Sequence, residues 1–304
     1  MNKAMNITKL ADKIMQVELH IGRWSGRKRD KDETEAVLAK HGAEKGAASV
    51  NKMIIPMECF KRLNAADSQL DDEHKRLTLP IRRGVYALAT SGYFNYTTIM
   101  NKLKNEREKA VDEFITKLYP DELNNTQQRM GGLYKQEDYP APGDLWKRFY
   151  CEFDMTPLPD NSQLQKLVGI PDEEIEALIK SADEHAERRV KSMQKAAYMK
   201  LLEPVEKLAG ILSKDEKVYA TTFGAVESAL ELAHTFNVGD DPEFNNLVTS
   251  IRRSLTGYRI NDVRRDKGAK KKAGHRAQAA MKEIEEAMAG YFPEPKDSNA
   301  VATQ

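Results

Sequence analysis

The sequence predicts a mainly α protein (α+β), in which a long antiparallel helical hairpin is accompanied by a small antiparallel sheet and a C-terminal helical bundle. Three observations predict this class. Ala, Lys, Glu and Met are abundant whereas aromatic residues make up only 7% of the chain, a composition that favours helices over sheets. One apolar stripe keeps helical spacing through residues 171–212, and three short segments are typical of strands, two of them by alternating apolar and polar residues.

Three short segments predict strands. Apolar and polar residues alternate in Ile14–Ile21 and in Phe149–Met155, and Gly84–Thr90 is a short run of small and apolar residues. We expect them to form one small sheet. The first strand runs into residues 22–29, where Gly22 and Gly26 predict a basic loop headed by Trp24.

Three amphipathic helices are predicted in the first half of the chain. They cover Asp32–Lys40, Pro56–Lys75 and Tyr96–Leu118, with Pro56 at a natural helix start. Beyond them, Pro120, the glycine pair at 131–132 and the proline-rich cluster at 139–143 predict loops.

The strongest periodic signal predicts one long helix over residues 171–212. Its apolar positions are Ile175, Ile179, Ala182, Ala186, Val190, Met193, Ala197, Leu201, Val205, Leu208 and Leu212. Such a helix would be about 60 Å long at 1.5 Å per residue. Because it cannot bury this stripe alone, we expect Tyr96–Leu118 to be its antiparallel coiled-coil partner, and Pro204 to kink or interrupt it.

The last third of the chain is also expected to be helical. Thr222 is predicted to cap a helix ending at Phe236, Asp241 to cap the next helix, and a final helix to cover Lys270–Tyr291. Residues from Pro293 onward are typical of a disordered tail. The predicted organisation therefore has four consecutive segments: 1–160, 161–220, 221–291 and 292–304.

Composition limits the class of protein. The two cysteines, Cys59 and Cys151, are too few for a disulfide framework and fit a reducing compartment. Neither a hydrophobic signal core nor an apolar run of about 20 residues is visible, so we expect a cytoplasmic protein without membrane association. A net charge of +1 means that any attraction to nucleic acid must come from local patches.

The sequence carries no motif that predicts catalysis. The six histidines include no pair at the spacing that places two ligands on one helical face, and no metal site is predicted. The segment Gly22–Lys28 lacks the spacing of a phosphate-binding loop, and no dinucleotide or nucleophile-elbow motif occurs. We therefore predict no cofactor and no enzymatic activity, while an active site assembled only by tertiary structure stays open.

Two basic clusters are candidates for contact with a partner or with nucleic acid. Residues 252–276 hold ten Lys or Arg residues against two Asp residues. The candidates there are Arg252, Arg253, Arg264, Arg265, Lys270, Lys271, Lys272 and Arg276. The alternative interpretation is a solvated linker and helix start, balanced by the glutamates further along.

The second cluster lies near the N-terminus. Its candidates are Arg23, Trp24, Arg27, Lys28 and Arg29. An exposed Trp24 among these cations would offer a stacking surface together with positive charge. Packing of Trp24 onto the edge of the sheet explains the same residues equally well.

The segment Trp24-Ser-Gly-Arg-Lys28 directly after a strand resembles the opening of domain of unknown function 3150, a family found largely in phages and prophages. The Pro56 helix, the small-residue strand at 84–89 and the segment from Asn237 to Glu243 are similar to later parts of that family. Arg29-Asp30 and residues 31–55 depart from its pattern. The resemblance implies a phage-type protein of the host cytoplasm and, as a partner class, a MoxR-type AAA+ ATPase. It implies no catalytic residues.

Our favoured hypothesis is therefore a non-enzymatic interaction or assembly protein that uses the helical hairpin and residues 22–29 to bind a protein, such as an AAA+ ATPase or a host factor. The alternative is a nucleic-acid-binding protein that uses residues 252–276. Self-association into a homo-oligomer is a further expectation, because one helical pair rarely covers both flanks of a long apolar stripe.

Overall fold

The computed structural model describes residues 12–158, 169–214, 217–258 and 260–292. The chain divides into two compact units, each assembled from separated stretches of sequence. Unit 1 comprises Met1–Val17, Leu77–Tyr93 and Met155–Gln304, and unit 2 comprises Glu18–Arg76 and Phe94–Asp154. This division differs from the four consecutive segments expected from the sequence, because strands and helices far apart in the chain pack together.

The described residues form six strands. They are β1 (Ile14–Gly22), β2 (Arg27–Asp30), β3 (Val50–Met53), β4 (Leu79–Arg82), β5 (Val85–Ala89) and β6 (Tyr150–Pro157). Four of them form a sheet in the order β4-β5-β1-β6, in which β5 pairs antiparallel with both β1 and β4. The three predicted strands are confirmed as β1, β5 and β6.

The other three strands were not predicted. β4 contains Pro80 and lies at the edge of the sheet, where a missing N–H removes no ladder hydrogen bond. β2 and β3 form a separate antiparallel pair. The expected loop over residues 22–29 is therefore wrong in its second half: Gly26 turns the chain with a φ of 64°, and the residues after it extend into β2.

The described residues also form ten α-helices, so the mainly α class with a small antiparallel sheet is confirmed. They are α1 (Lys31–His41), α2 (Lys61–Leu77), α3 (Tyr93–Glu113), α4 (Tyr119–Met130), α5 (Pro142–Trp146), α6 (Asp172–Ser213), α7 (Ala220–Phe236), α8 (Pro242–Leu255), α9 (Ile260–Arg265) and α10 (Lys267–Tyr291). A 3₁₀ turn over Met57–Phe60 precedes α2.

The chain stays helical past Pro120, where the sequence predicted a loop. A π-helical turn over Phe114–Leu118 joins α3 to α4, and Pro120 lies in the first turn of α4. The π turn interrupts the regular α-helical hydrogen bonds just before the proline. A residue that cannot donate is tolerated at such a position.

The long helix is confirmed as α6, which continues without interruption through Pro204. The prediction that Tyr96–Leu118 is its antiparallel partner is wrong. The apolar stripe of α6 packs in unit 1 against α10, α7 and β4. The sequence did not reveal α10 as the partner because its contact face is a row of small residues, Ala273, Ala277 and Ala280, rather than of large apolar ones.

The C-terminal helices begin where capping residues place them. Asp241 caps α8 as predicted, its carboxylate accepting the N–H of Glu243 at 2.9 Å. Thr222, expected to be a cap, instead lies inside the first turn of α7. Asp266 caps α10. The predicted tail from Pro293 onward lies outside the described residues.

Candidate nucleic-acid interface

Helix α10 carries a row of basic and polar residues beside its buried face. The carboxylate of Asp266 accepts the N–H of Gly268 at 2.7 Å and fixes the start of the helix at the first lysine. The buried face, from Ala273 to Ile284, packs in the unit 1 core. A second row of residues lies along a neighbouring face of the helix, at spacings of three and four residues. We name this row the α10 basic stripe, and it comprises Lys267, Lys270, Lys271, Gly274, His275 and Gln278.

The α10 basic stripe lines a pocket with a volume of ≈ 330 Å³, closed on its other side by Leu212 and Ser213 at the end of α6. Gly274 forms part of the floor, since a Cβ atom at this position would lie 3.5 Å from the Cβ of Leu212. Among the described residues, the polar side chains that line the pocket carry ammonium, imidazole, amide and hydroxyl groups, and none of them is a carboxylate. The pocket is therefore suited to an anion.

The geometry of the stripe favours an extended anion over a compact one. From Lys267 to Gln278 the helix rises about 16 Å at 1.5 Å per residue. Lysine binds phosphate as a flexible point charge and needs no fixed geometry. The three lysines cover about the first 6 Å of this length, and His275 and Gln278 continue the row of polar groups beyond them. Such a row can contact neighbouring phosphates of one strand without reading its bases.

Three of the predicted C-terminal arginines have structural contacts instead. Arg252 donates to the carbonyl oxygen of Leu230, and Arg264 donates to that of Val218, each at 2.8 Å. The guanidinium of Arg276 lies 5.7 Å from the centre of the Tyr258 ring. These contacts hold the helices of unit 1 together.

The other five predicted residues of this stretch fall into two groups, those exposed away from the pocket and those that line it. Arg253, Arg265 and Lys272 are exposed. Lys272 directly follows Lys271, and one helical step turns it away from the stripe. Only Lys270 and Lys271 of the eight predicted residues line the pocket.

The N-terminal cluster does not form a binding surface around Trp24. Trp24 is only 7% exposed and packs in the aromatic core of unit 2, with its ring centre 5.7 Å from Tyr119, 6.2 Å from Phe60 and 6.4 Å from Phe114. The prediction of an exposed stacking platform is therefore wrong. The other interpretation, in which Trp24 packs against the protein, is right about its burial. Its contacts, however, are aromatic side chains of distant segments.

The four cations of that cluster do not share one surface. Lys28 pairs with Asp138 at 2.7 Å, and a guanidinium nitrogen of Arg23 lies 3.6 Å from Asp67. Arg27 and Arg29 are exposed on β2, on the face opposite Lys28 because side chains alternate along a strand. The structure therefore does not bring all four cations together, and only Arg27 and Arg29 share a face.

Lys52, which the sequence analysis did not identify, is the centre of a buried ionic network in unit 2. Its ammonium lies 2.5 Å from Asp138 and 2.9 Å from Asp30, and it donates to the carbonyl oxygen of Leu133 at 3.2 Å. The three charged side chains are no more than 4% exposed. Asp30 also caps α1, and Asp138 reaches Lys28, so the network joins β2, β3 and the segment before α5.

The electrostatics of this network favour its charged form. Burial by itself lowers the pKa of Lys52, but hydrogen bonds to Asp138 and Asp30 outweigh it and raise the pKa. Burial raises the pKa of Asp138, but hydrogen bonds from Lys28 and Lys52 outweigh it and lower the pKa. The hydrogen bond from Lys52 and the N–H of Glu33 lower the pKa of Asp30.

A second buried pair in unit 2 joins α2 to α3. The guanidinium of Arg107, 1% exposed, donates to Asp67 at 2.5 Å and to the carbonyl oxygen of Gly22 at 2.8 Å. Nearby in the same unit, burial raises the pKa of the Cys151 thiol, which keeps it protonated at neutral pH. Both features stabilise the fold and offer no accessible nucleophile.

The sequence analysis missed two features of the structure, for different reasons. The α10 basic stripe was visible as helical spacing between Lys267, Lys271 and Gln278, which a count of cations along the chain does not detect. Lys52 carried no such signal, because its partner Asp138 is far away in the sequence.

Comparisons with protein-family models, with curated proteins and with solved structures found no match. The resemblance to domain of unknown function 3150 stays a prediction. Within the described ranges, no helix combines the length and apolar character that crossing a membrane requires.

Proposed function

We propose that this protein binds nucleic acid through the α10 basic stripe, and that it contacts the phosphate backbone rather than the bases. The observation that supports this proposal is the pocket lined by Lys267, Lys271 and His275, where no carboxylate lies among the described lining residues. Cations clustered along one helix face attract an external polyanion such as a phosphate backbone.

The proposal gives the C-terminal basic stretch precedence over the N-terminal cluster as the binding surface. The favoured sequence hypothesis assigned residues 22–29 to a protein partner. Trp24 is buried, Lys28 is paired with Asp138 and Arg23 lies 3.6 Å from Asp67, so three of the five residues on which that contact depended have other roles. A protein partner, including an AAA+ ATPase, stays a prediction without a defined surface on those residues.

Binding of labelled DNA and RNA, single-stranded and double-stranded, tests the proposal by fluorescence anisotropy over a series of salt concentrations. We expect the affinity to fall steeply as salt rises. In the triple variant K267Q/K270Q/K271Q, the slope of log K against log salt should become less negative by about 2 to 3. Binding at low salt should weaken roughly tenfold or more.

The matched control removes the same charge from exposed lysines elsewhere, in the variant K102Q/K109Q/K117Q. It should bind as the unaltered protein does. Absence of binding by the unaltered protein at low salt, or an equal loss in both triple variants, would contradict the proposal. Circular dichroism of each variant checks that the fold is retained.

A further inference from the structure

The first half of α6 differs from the second half in what covers it. Val190 is the first residue of α6 that belongs to the unit 1 core, and all buried residues of the helix lie between it and Leu212. Before Val190 the stripe continues, but its members are only half-buried, and Leu178 is 44% exposed. None of the described α6 residues before Val190 belongs to the core of unit 1.

The spacing of this half-buried stripe is that of a two-helix contact. Ile175, Ile179, Ala182 and Ala186 follow one another at intervals of four, three and four residues, the pattern of positions that meet in a coiled coil. The two isoleucines lie toward the start of the segment and the two alanines toward its middle. Small residues there let a second helix approach closely.

The first and last turns of this segment carry opposite charge. The first turns are acidic, with Asp172, Glu173, Glu174 and Glu176. Only the last turn is basic, with Arg188, Arg189 and Lys191, and the acidic Asp183, Glu184 and Glu187 precede it. A parallel copy of this segment would place like charges side by side, whereas an antiparallel copy places each acidic end beside a basic end.

We infer that residues 172–191 bind the same residues of a second copy of this chain in antiparallel orientation, with the two helices crossing near Ala182. The contact is isologous, so the same acidic-to-basic pairing occurs twice. The contact is about 30 Å long. Because the two helices run in opposite directions, the rest of α6 continues from one end of the contact in one copy and from the other end in the second copy, so there is room for both copies. The inference uses none of the residues assigned to nucleic-acid binding and does not depend on that function.

A contact made by a single pair of short helices is small, so the dimer should be weak and depend on protein concentration. Sedimentation velocity over a hundredfold range of concentration, at low salt, measures this directly. We expect the weight-average sedimentation coefficient to rise with concentration, and to rise less at high salt because the end charges are screened.

Charge reversal tests the pairing itself. The variants E173K/E174K/E176K and R188E/R189E/K191E should each weaken self-association by at least about tenfold, because both ends then carry the same sign. An equimolar mixture of the two should recover association, since one variant is basic at both ends and the other is acidic at both ends. Recovery in the mixture also shows that each variant is folded.

The matched control, E203K/E206K/E227K, reverses three exposed glutamates of the same unit outside the segment and should associate as the unaltered protein does. The inference is overturned by a protein that stays monomeric at every concentration, as it would if another part of the chain covered the stripe. It is equally overturned if charge reversal leaves association unchanged, or if the mixture fails to associate.

Discussion

The two basic clusters of this chain look alike in sequence and differ in their carboxylate neighbours. In unit 2, Lys28 pairs with Asp138, and the buried Lys52 pairs with both Asp138 and Asp30. In unit 1, Lys267 and Lys271 of the α10 basic stripe line a pocket with no carboxylate among its described lining residues. The difference teaches that a run of cations predicts a binding surface only where the tertiary structure does not place carboxylates against it.

The largest effect is expected where the cation is most completely enclosed. The substitution Lys52→Ala would leave Asp30 and Asp138 buried without their common partner, and should cost about 3–5 kcal/mol of unfolding free energy. Urea denaturation measures it. The exposed Lys45→Ala is the control and should change stability by no more than about 0.5 kcal/mol. Similar losses in both variants would remove the distinction between paired and solvated lysines.

Trp24 sharpens the comparison from the apolar side. Because its ring is enclosed by Phe60, Phe114 and Tyr119, Trp24→Ala should destabilise the protein by about 3–4 kcal/mol through lost burial and a residual cavity. Trp146, which is 44% exposed, is the matched control, and Trp146→Ala should cost less than half as much. If the two variants melted alike, Trp24 could not belong to the core.

The buried network should also make stability depend on pH. The folded pKa of Asp138 is lowered, so its contribution is present above its unfolded pKa of about 4 and is lost as pH falls through the folded pKa. The folded pKa of Lys52 is raised, so its contribution is present below its unfolded pKa of about 10.4 and is lost as pH rises through the folded pKa.

Urea denaturation at a series of pH values checks this dependence. Between about pH 5 and pH 3 the unaltered protein should lose more stability than Asp138→Asn, whose side chain does not titrate. Parallel curves for the two proteins would show that Asp138 is not held ionised by its lysines.

The smallest effect distinguishes two adjacent arginines of the C-terminal stretch. Arg264 donates to the carbonyl oxygen of Val218, and Arg264→Gln should cost about 1 kcal/mol. Its exposed neighbour should matter less, so Arg265→Gln should lie within about 0.5 kcal/mol of the unaltered protein. A thermal melt of each variant decides the order, and the reverse order would exchange their roles.

Local patterns in the sequence predicted the elements, whereas the contacts between elements depended on residues without a local pattern. The long helix and the strands β1 and β6 were visible because each repeats one apolar period, and β5 was visible as a short run of small and apolar residues. The partner of α6 was not, since α10 contacts it through alanines. Trp24 had the same limit: its neighbours in sequence are polar or glycine, and its neighbours in space come from residues 60–119.

The candidate site was predicted to the level of the segment and no further. Residues 252–276 were correctly noted for their charge, but three arginines there bind a carbonyl oxygen or a ring, and Lys267 and His275 were not chosen. Whether a cation is exposed or already bound depends on groups brought from other helices. The primary sequence does not record that.

The alternation of the chain between its two units has a consequence for synthesis on the ribosome. When residue 154 has been made, all of unit 2 is present, but unit 1 consists only of its early strands and the short segments around them. Apolar residues of β4 and β5 then stay uncovered until α6 and α7 have been translated; they are Leu79, Ile81 and Val85. The nascent chain therefore passes through a stage with bare strands, at which premature termination would yield a product prone to aggregate and dependent on chaperones.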